Sequence, residues 1–331
     1  MIVLQNYFTA ARIAKVIESA PPLELSVSDA LFPANLRQNH EQPLIPLSEI
    51  RSVVDAVPVV SRGGSYVPLD GTTMDNQYIE PLPIRVESKL DATQLNNLKV
   101  ASNETRESWA RRKVLTMRSA VRKTMEALAA QAGFNAKIAF PLLEDSGKYA
   151  TYNVSYGGNP TSVTVAASEK WSHADMTLLK AYNFLSELDT KVDQGGYGGK
   201  KIRHVGAGGF AALLALAEKA SEAGKDKVPF RLNDDGSVSV GGITIKKMAE
   251  TYKDPKTGNA VAKLDDGEIR VNASGGTGFF YGPVDDLDGN LEPMPMFVKI
   301  VKHPTRGHLL LGESKPMPCI APKSVGKATI L

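Results

Sequence analysis

The segment from Ser61 to Ser88 restricts this chain more than any other. It opens Ser61-Arg62-Gly63-Gly64-Ser65, turns at Asp70-Gly71-Thr72-Thr73 and returns from Gln77 to Ser88 through Pro81 and Pro83. Proline donates no ladder hydrogen bond, so two of them keep the return strand at an edge. Prolines and charges on such an edge also discourage stray strand pairing. A polar two-stranded arm of this length cannot bury a core of its own. It is expected to lie on another surface, such as a neighbouring copy of the same chain.

A single long helix is predicted behind the arm, from about Glu104 to Ala132. Ala110, Val114, Met117, Val121, Met125, Leu128 and Ala132 recur at steps of four and three. That spacing draws one narrow apolar stripe. Asn103 reads as the N-cap, Glu104 suits the positive helix end, and Gly133 reads as the stop. At about 1.5 Å per residue such a helix braces a whole domain. Arg111, Arg118 and Arg122 fall within roughly 40° of one another beside the stripe. They read either as a solvated face or as a sequence-independent contact with phosphates or a neighbour's acids.

Elsewhere the order of elements is α+β. A short helix is expected over about Thr9–Ser19, stopped by Pro21-Pro22, and an extended arm follows to about Gln42. Ile45 to Val60 reads as strand, interrupted by Pro46 and Pro58. Lys148–Tyr156 and Thr161–Ala167 read as a hairpin joined at Gly157-Gly158-Asn159-Pro160. Ser172 is expected to cap a helix to about Asp193, and the glycines from Gly195 to Gly199 predict a flexible loop. A strand (Lys201 to Val205) and a helix (Phe210 to Ala223) follow. Short strands then close the chain at about 238–245, 269–273, 296–301 and 309–312.

The sharpest enzyme-like signal is Gly206-Ala207-Gly208-Gly209-Phe210-Ala211, which fits Gly-x-Gly-x-x-Ala between a strand and a helix. In a dinucleotide site those small residues let a pyrophosphate approach the helix start. A tight strand-to-helix connection explains the same residues, and no run of βα units follows. Gly195–Lys201 fails the phosphate-loop pattern at Gln194 and Lys201. Asp285–Asn290 fails the calcium-loop pattern at Val284. The five histidines lack zinc spacing, and no Gly-x-Ser-x-Gly elbow occurs. No catalytic, cofactor or metal site is therefore expected.

The bulk numbers agree. A net charge of +3 does not announce a nucleic-acid binder. Cys319 is the only cysteine, so no internal disulfide can form. The start at Met1 lacks the basic and apolar run of a signal peptide, and no stretch has the length of an apolar membrane span. The sequons at Asn103, Asn153 and Asn272 then read as chance matches.

These pieces in this order resemble the lambda-like major capsid protein E family of tailed bacteriophages. The likeness rests on Ser61-Arg62-Gly63-Gly64, on Tyr78-Ile79-Glu80-Pro81 and on the long helix. Phe280-Tyr281-Gly282-Pro283-Val284-Asp285-Asp286 and Ser314-Lys315-Pro316-Met317-Pro318 look like the family's closing strands. The resemblance implies the tailed-phage capsid fold of the Hong Kong phage type. Its expected parts are an N-terminal arm (1–47), an E-loop (48–92), a P-domain (93–171) with a spine helix over about 103–133, an A-domain (172–289) and a return to the P-domain (290–331).

The resemblance further implies a virion protein, assembled in the host cytoplasm, whose pentamers and hexamers close an icosahedral shell around double-stranded DNA. Scaffold, portal and decoration proteins are the partners such a subunit would meet, and covalent crosslinking is not expected. Arg62, Tyr66, Tyr78, Ile79, Pro81 and Arg85 are the expected subunit contacts. Arg111, Arg118 and Arg122 are the candidates to face DNA or a neighbour. The alternatives are a dinucleotide enzyme using Gly206–Ala211, or a tail-tube or head-completion protein.

Overall fold

The predicted stripe forms one helix, Asn103–Asn135, in a computed structural model that describes residues 7–20, 24–51, 77–90, 92–223, 228–302 and 307–331. All seven stripe residues are buried. The helix starts at its predicted cap, one residue early, because Ser102 Oγ accepts the Thr105 amide at 3.2 Å. Asn103 Oδ1 instead takes the Tyr7 hydroxyl at 3.2 Å. The chain groups into two units. One holds Met1–Ile45, Glu80–Ala129 and Phe279–Met317, the other Pro46–Ile79, Ala130–Gly278 and Pro318–Leu331.

In the first unit Thr9 caps the helix Ala10–Glu18, its side chain accepting the Arg12 amide. Phe8 and Ile13 pack with Ala110, Val114 and Met117 of the long helix and with Leu90, Val298 and Leu310 of a sheet. That sheet is antiparallel, ordered Phe297–Lys302, His308–Ser314, Ile84–Leu90. His308 stands opposite Leu90 and Ser314 opposite Ile84. The return half of the predicted arm is thus an edge strand, as its prolines implied, and from Ile84 onward its partner is the distant His308–Ser314. Its alternate residues Arg85, Glu87 and Lys89 stay exposed, as an edge strand requires.

The stretch expected as an extended arm is also structured. Ser28–Leu31 is a short helix, Ala34–Leu36 a 3-10 turn, and Arg37–Asn39 pairs in parallel with Phe279–Tyr281. Val27, Leu31 and Phe32 are buried, and Phe32 meets Phe279 edge-on at 5.9 Å. The buried Glu126 carboxylate of the long helix holds this segment. Oε1 accepts Ser26 Oγ at 3.1 Å and the Val27 amide at 2.8 Å, and Oε2 accepts the Ser28 amide at 2.8 Å. Glu126 therefore supplies acceptors for amides at the start of the short helix that have no partner within it.

In the second unit Gly133 does not stop the long helix. Its carbonyl accepts Asn272 Nδ2 at 2.7 Å, and the Phe134 carbonyl accepts Arg270 Nε at 2.6 Å. A neighbouring strand caps the helix, so the turn of chain at Gly133 is unnecessary. The left-handed Ala136, at φ 48°, ends it. Tyr149–Ser155 pairs with Lys137–Leu143, and not with the predicted 161–167 strand. Thr161–Ser162 joins Gly326–Lys327 instead.

That pairing opens a seven-stranded mixed sheet. Its order is Thr161–Ser162, Val325–Thr329, Glu268–Ala273, Lys201–Gly206, Ile243–Met248, Val238–Val240, Phe230–Leu232. The helices Leu178–Asp193 and Ala207–Ala223 share one core with it, through Leu185, Leu188, Leu213, Val205, Ile269 and Val271. Thr177, not Ser172, caps the first of these helices. Arg203 on the sheet grips Asp189 on that helix at 3.0 and 2.6 Å. Leu47–Arg51, read from sequence as strand, is a short helix. Burial pushes the Cys319 thiol well above its ordinary range, which makes it an unreactive core residue.

Candidate assembly surfaces

The Leu47 amide donates to the Gln77 carbonyl at 3.0 Å. The chain thus leaves and returns at one closed stem, and residues 52–76 between its two sides lie outside the described residues. Arg62 and Tyr66 fall there. Tyr78, just past the stem, is 58% exposed, whereas Ile79 is 5% exposed and Pro81 is buried. Ile79 and Pro81 therefore pack within their own chain, so they position the stem and present little of themselves.

Arg85 sits in a four-membered ion network. Its Nε donates to Glu313 Oε2 at 2.8 Å and its Nη2 to Asp285 Oδ2 at 3.1 Å. Lys315 Nζ donates to Asp285 Oδ1 at 2.5 Å, and Glu313 Oε1 accepts the Asp285 amide at 2.7 Å. Two stretches singled out in the sequence, Phe280–Asp286 and Ser314–Pro318, are thereby tied to the arm's return strand. Exposed ion pairs contribute little singly; the network's worth is to fix direction. Sequence reasoning missed Glu313, because nothing in the local pattern pairs it with a residue so distant in the chain.

The three helix arginines do not form one open face. Arg111 is exposed and donates to the Ser19 carbonyl at 3.4 Å. Arg122 Nη2 lies 3.7 Å from Asp29 Oδ1, which also takes Arg37 at 2.6 Å. Arg118 is half-buried, and burial, with Arg122 nearby, lowers its pKa. A groove of about 520 Å³ runs between the helix Ala10–Glu18 and the start of the long helix, with Arg111 on its wall.

The glycines of Gly206–Ala211 serve the chain itself. A Cβ on Gly206 would stand 2.1 Å from the Asp265 carbonyl oxygen, and one on Gly209 would stand 2.7 Å from Ile330 Cδ1. The Gly209 amide at the helix start already donates to the Asp266 carbonyl at 2.8 Å. The close approach that a pyrophosphate would need is filled by the chain's own backbone. Gly206→Ala is expected to destabilise by about 3 kcal/mol through overpacking against backbone, seen as a lowered midpoint in urea unfolding. The Gly195–Gly199 loop is likewise packed: Tyr197 is buried and a Cβ on Gly195 would stand 2.5 Å from the Lys323 carbonyl oxygen. Among the described residues no three His, Cys, Asp or Glu side chains cluster as metal ligands, and no helix is long and apolar enough to cross a membrane.

Solved structures show what class of protein has this fold. The candidate capsid protein of an E. coli CFT073 prophage superposes with a TM-score of 0.61 at 16% identity, over 98% of this chain and 99% of that one. A phage-related protein from Bordetella bronchiseptica RB50 gives 0.51 at 10% identity, over 96% and 95%. The fold is that of tailed-phage capsid subunits. Residues 9–330 match the family model described as phage major capsid protein E, and the chain belongs to that family. It is a major capsid protein, a structural component of the virion whose copies associate into an icosahedral shell. No match among curated proteins reaches significance.

Proposed function

We propose that this subunit forms the pentamers and hexamers of a shell that encloses double-stranded DNA, and that it does so without catalysis. Residues 48–92 serve as the E-loop, anchored by Ile84–Leu90 in the sheet of its own chain and reaching the long helix of the adjacent copy. Residues 1–47 are the arm, 93–171 the P-domain, 172–289 the A-domain and 290–331 the return. Arg62, Tyr66, Tyr78 and Arg85 reach the neighbour, while Ile79 and Pro81 aim the stem from within. Arg111 is the member of the arginine trio open to DNA or to a neighbour's acids. Scaffold, portal and decoration proteins complete the partners, and assembly takes place in the host cytoplasm.

The observation that carries this reading is the closed stem at Leu47 and Gln77, with Tyr78 exposed beside it. Such a stem fixes the base of the segment that joins its two sides. A subunit that places one surface on a different surface of the next copy can close rings and shells. Electron microscopy of the expressed protein, alone and with its scaffold, tests the reading. Closed particles with five- and six-fold capsomers are expected; open tubes or rings would overturn it.

A further inference from the structure

The turn after the Asp285 ion network is an exposed apolar feature of the first unit. In Leu287–Gly289 and the two residues beyond it, Leu287 is 83% and Leu291 54% exposed. Asn290 and Leu291 both lie in the left-handed region, at φ 55°. Leucine has no local compensation there, and such strain persists only where the surroundings enforce it.

Here they do. Lys299 Nζ stands 2.7 Å from Asp286 Oδ2 and 2.8 Å from Asp288 Oδ2. Asp286 Oδ1 accepts the Asp288 amide at 2.9 Å, and the Leu291 amide donates to the Asp286 carbonyl at 3.3 Å. Gly289 is buried against Val284 and Phe297, where a Cβ would come within 2.7 Å of Val284 Cγ2. The chain holds two leucines outward on a rigid, strained turn. Scattered exposed leucines need no explanation; a pair fixed this way does.

We infer that this turn is a knob that inserts into the groove between the helix Ala10–Glu18 and the start of the long helix on a second copy of the chain. The groove's floor is Ile13, Val16, Ala110 and Val114, and its walls carry Arg12, Lys15 and Arg111 against Glu104 and Glu107. Its volume of about 520 Å³ accommodates both leucine side chains. Lys299 offsets only one of Asp286, Asp288 and Glu292, so the knob keeps a net negative charge that complements the net positive charge of those walls. None of the groove's lining residues belongs to the turn. The contact is therefore between unlike surfaces and propagates from copy to copy. This inference rests on the shell reading above and names one of its interfaces.

A paired-cysteine experiment decides it. Leu287→Cys is combined with Ser108→Cys, an exposed position lining the groove. Cys319 is wholly buried and does not compete. Oxidised particles are expected to give a ladder of covalently linked subunits on a non-reducing gel, at least tenfold above either single variant. Normal particles without a ladder, or with crosslinks only inside single chains, overturn the inference while leaving the shell intact. Leu287→Ser with Leu291→Ser gives the second readout. It is expected to keep its circular dichroism and raise the protein concentration needed for assembly at least tenfold; unchanged assembly overturns the inference. Failure of the unaltered chain to form any particle would count instead against the proposed function, and the knob contact would fall with it.

Discussion

Replacing residues 61–76 with a short Gly-Ser linker is expected to leave a folded protein that no longer closes shells. The stem bond from Leu47 to Gln77 lies outside the deletion. So does the whole Ile84–Leu90 strand with its seven-residue register against His308–Ser314. The Arg85–Glu313–Asp285–Lys315 network also stays intact. Shortening a loop changes closure entropy only weakly, so the thermal midpoint should shift little. Assembly is different, because every copy repeats the same contacts. Losing one contact per subunit is multiplied around each capsomer, and avidity collapses with it. Sedimentation and electron microscopy of the variant read the outcome. Particles of normal size and yield would show that the excised segment makes no essential contact, and the E-loop role would be withdrawn.

Glu126→Ala should have the largest effect on stability. It removes the acceptor from two buried amides, Val27 and Ser28, and from the Ser26 hydroxyl. With about 1–3 kcal/mol for each buried donor left unpaired, the loss is about 4 kcal/mol. Glu126→Gln separates hydrogen bonding from bulk. One carbonyl oxygen can keep both Ser26 and Val27, while an amide NH₂ then faces the Ser28 amide. That variant should lose about half as much. Urea unfolding of the two variants beside the parent measures both. Equal stability of Glu126→Ala and the parent would mean that the segment from Ser26 to Phe32 is not held through this carboxylate. Such weakening should also lower particle yield, because Arg37–Asn39 pairs with Phe279–Tyr281 only if the segment before it is docked.

The parts of the molecule legible in the sequence are those governed by local periodicity. Ala110 through Ala132 repeat with the helix, and all seven stripe residues are buried. The strand-to-helix turn at Gly206 and the short closing strands were readable for the same reason. The helix ends were not. Gly133 looks like a stop, yet Arg270 and Asn272, far along the chain, satisfy the carbonyls at that end. Lys137–Leu143 carries Pro141 and follows a helix directly, so no turn signal announced it as the partner of Tyr149–Ser155. The partner of the arm's return strand was not legible, because His308–Ser314 stands more than two hundred residues away.

The candidate contacts divide in the same manner. Tyr78 is exposed, while Ile79 and Pro81 are buried within the chain. Arg111, Arg118 and Arg122 share one helical face by angle, yet Arg122 lies against Asp29 and Arg118 is half-buried. Helical angle fixes a direction, not what the rest of the chain lays over it.

The sequence by itself determined the long helix, the α+β order and the family, because these depend on which side chains recur at which spacing along one segment. Tertiary structure alone decided which ends meet, which charges pair and which leucines remain outside. Those outcomes depend on distances between segments far apart in the chain, and burial of a polar group is tolerated only where such a distant partner arrives.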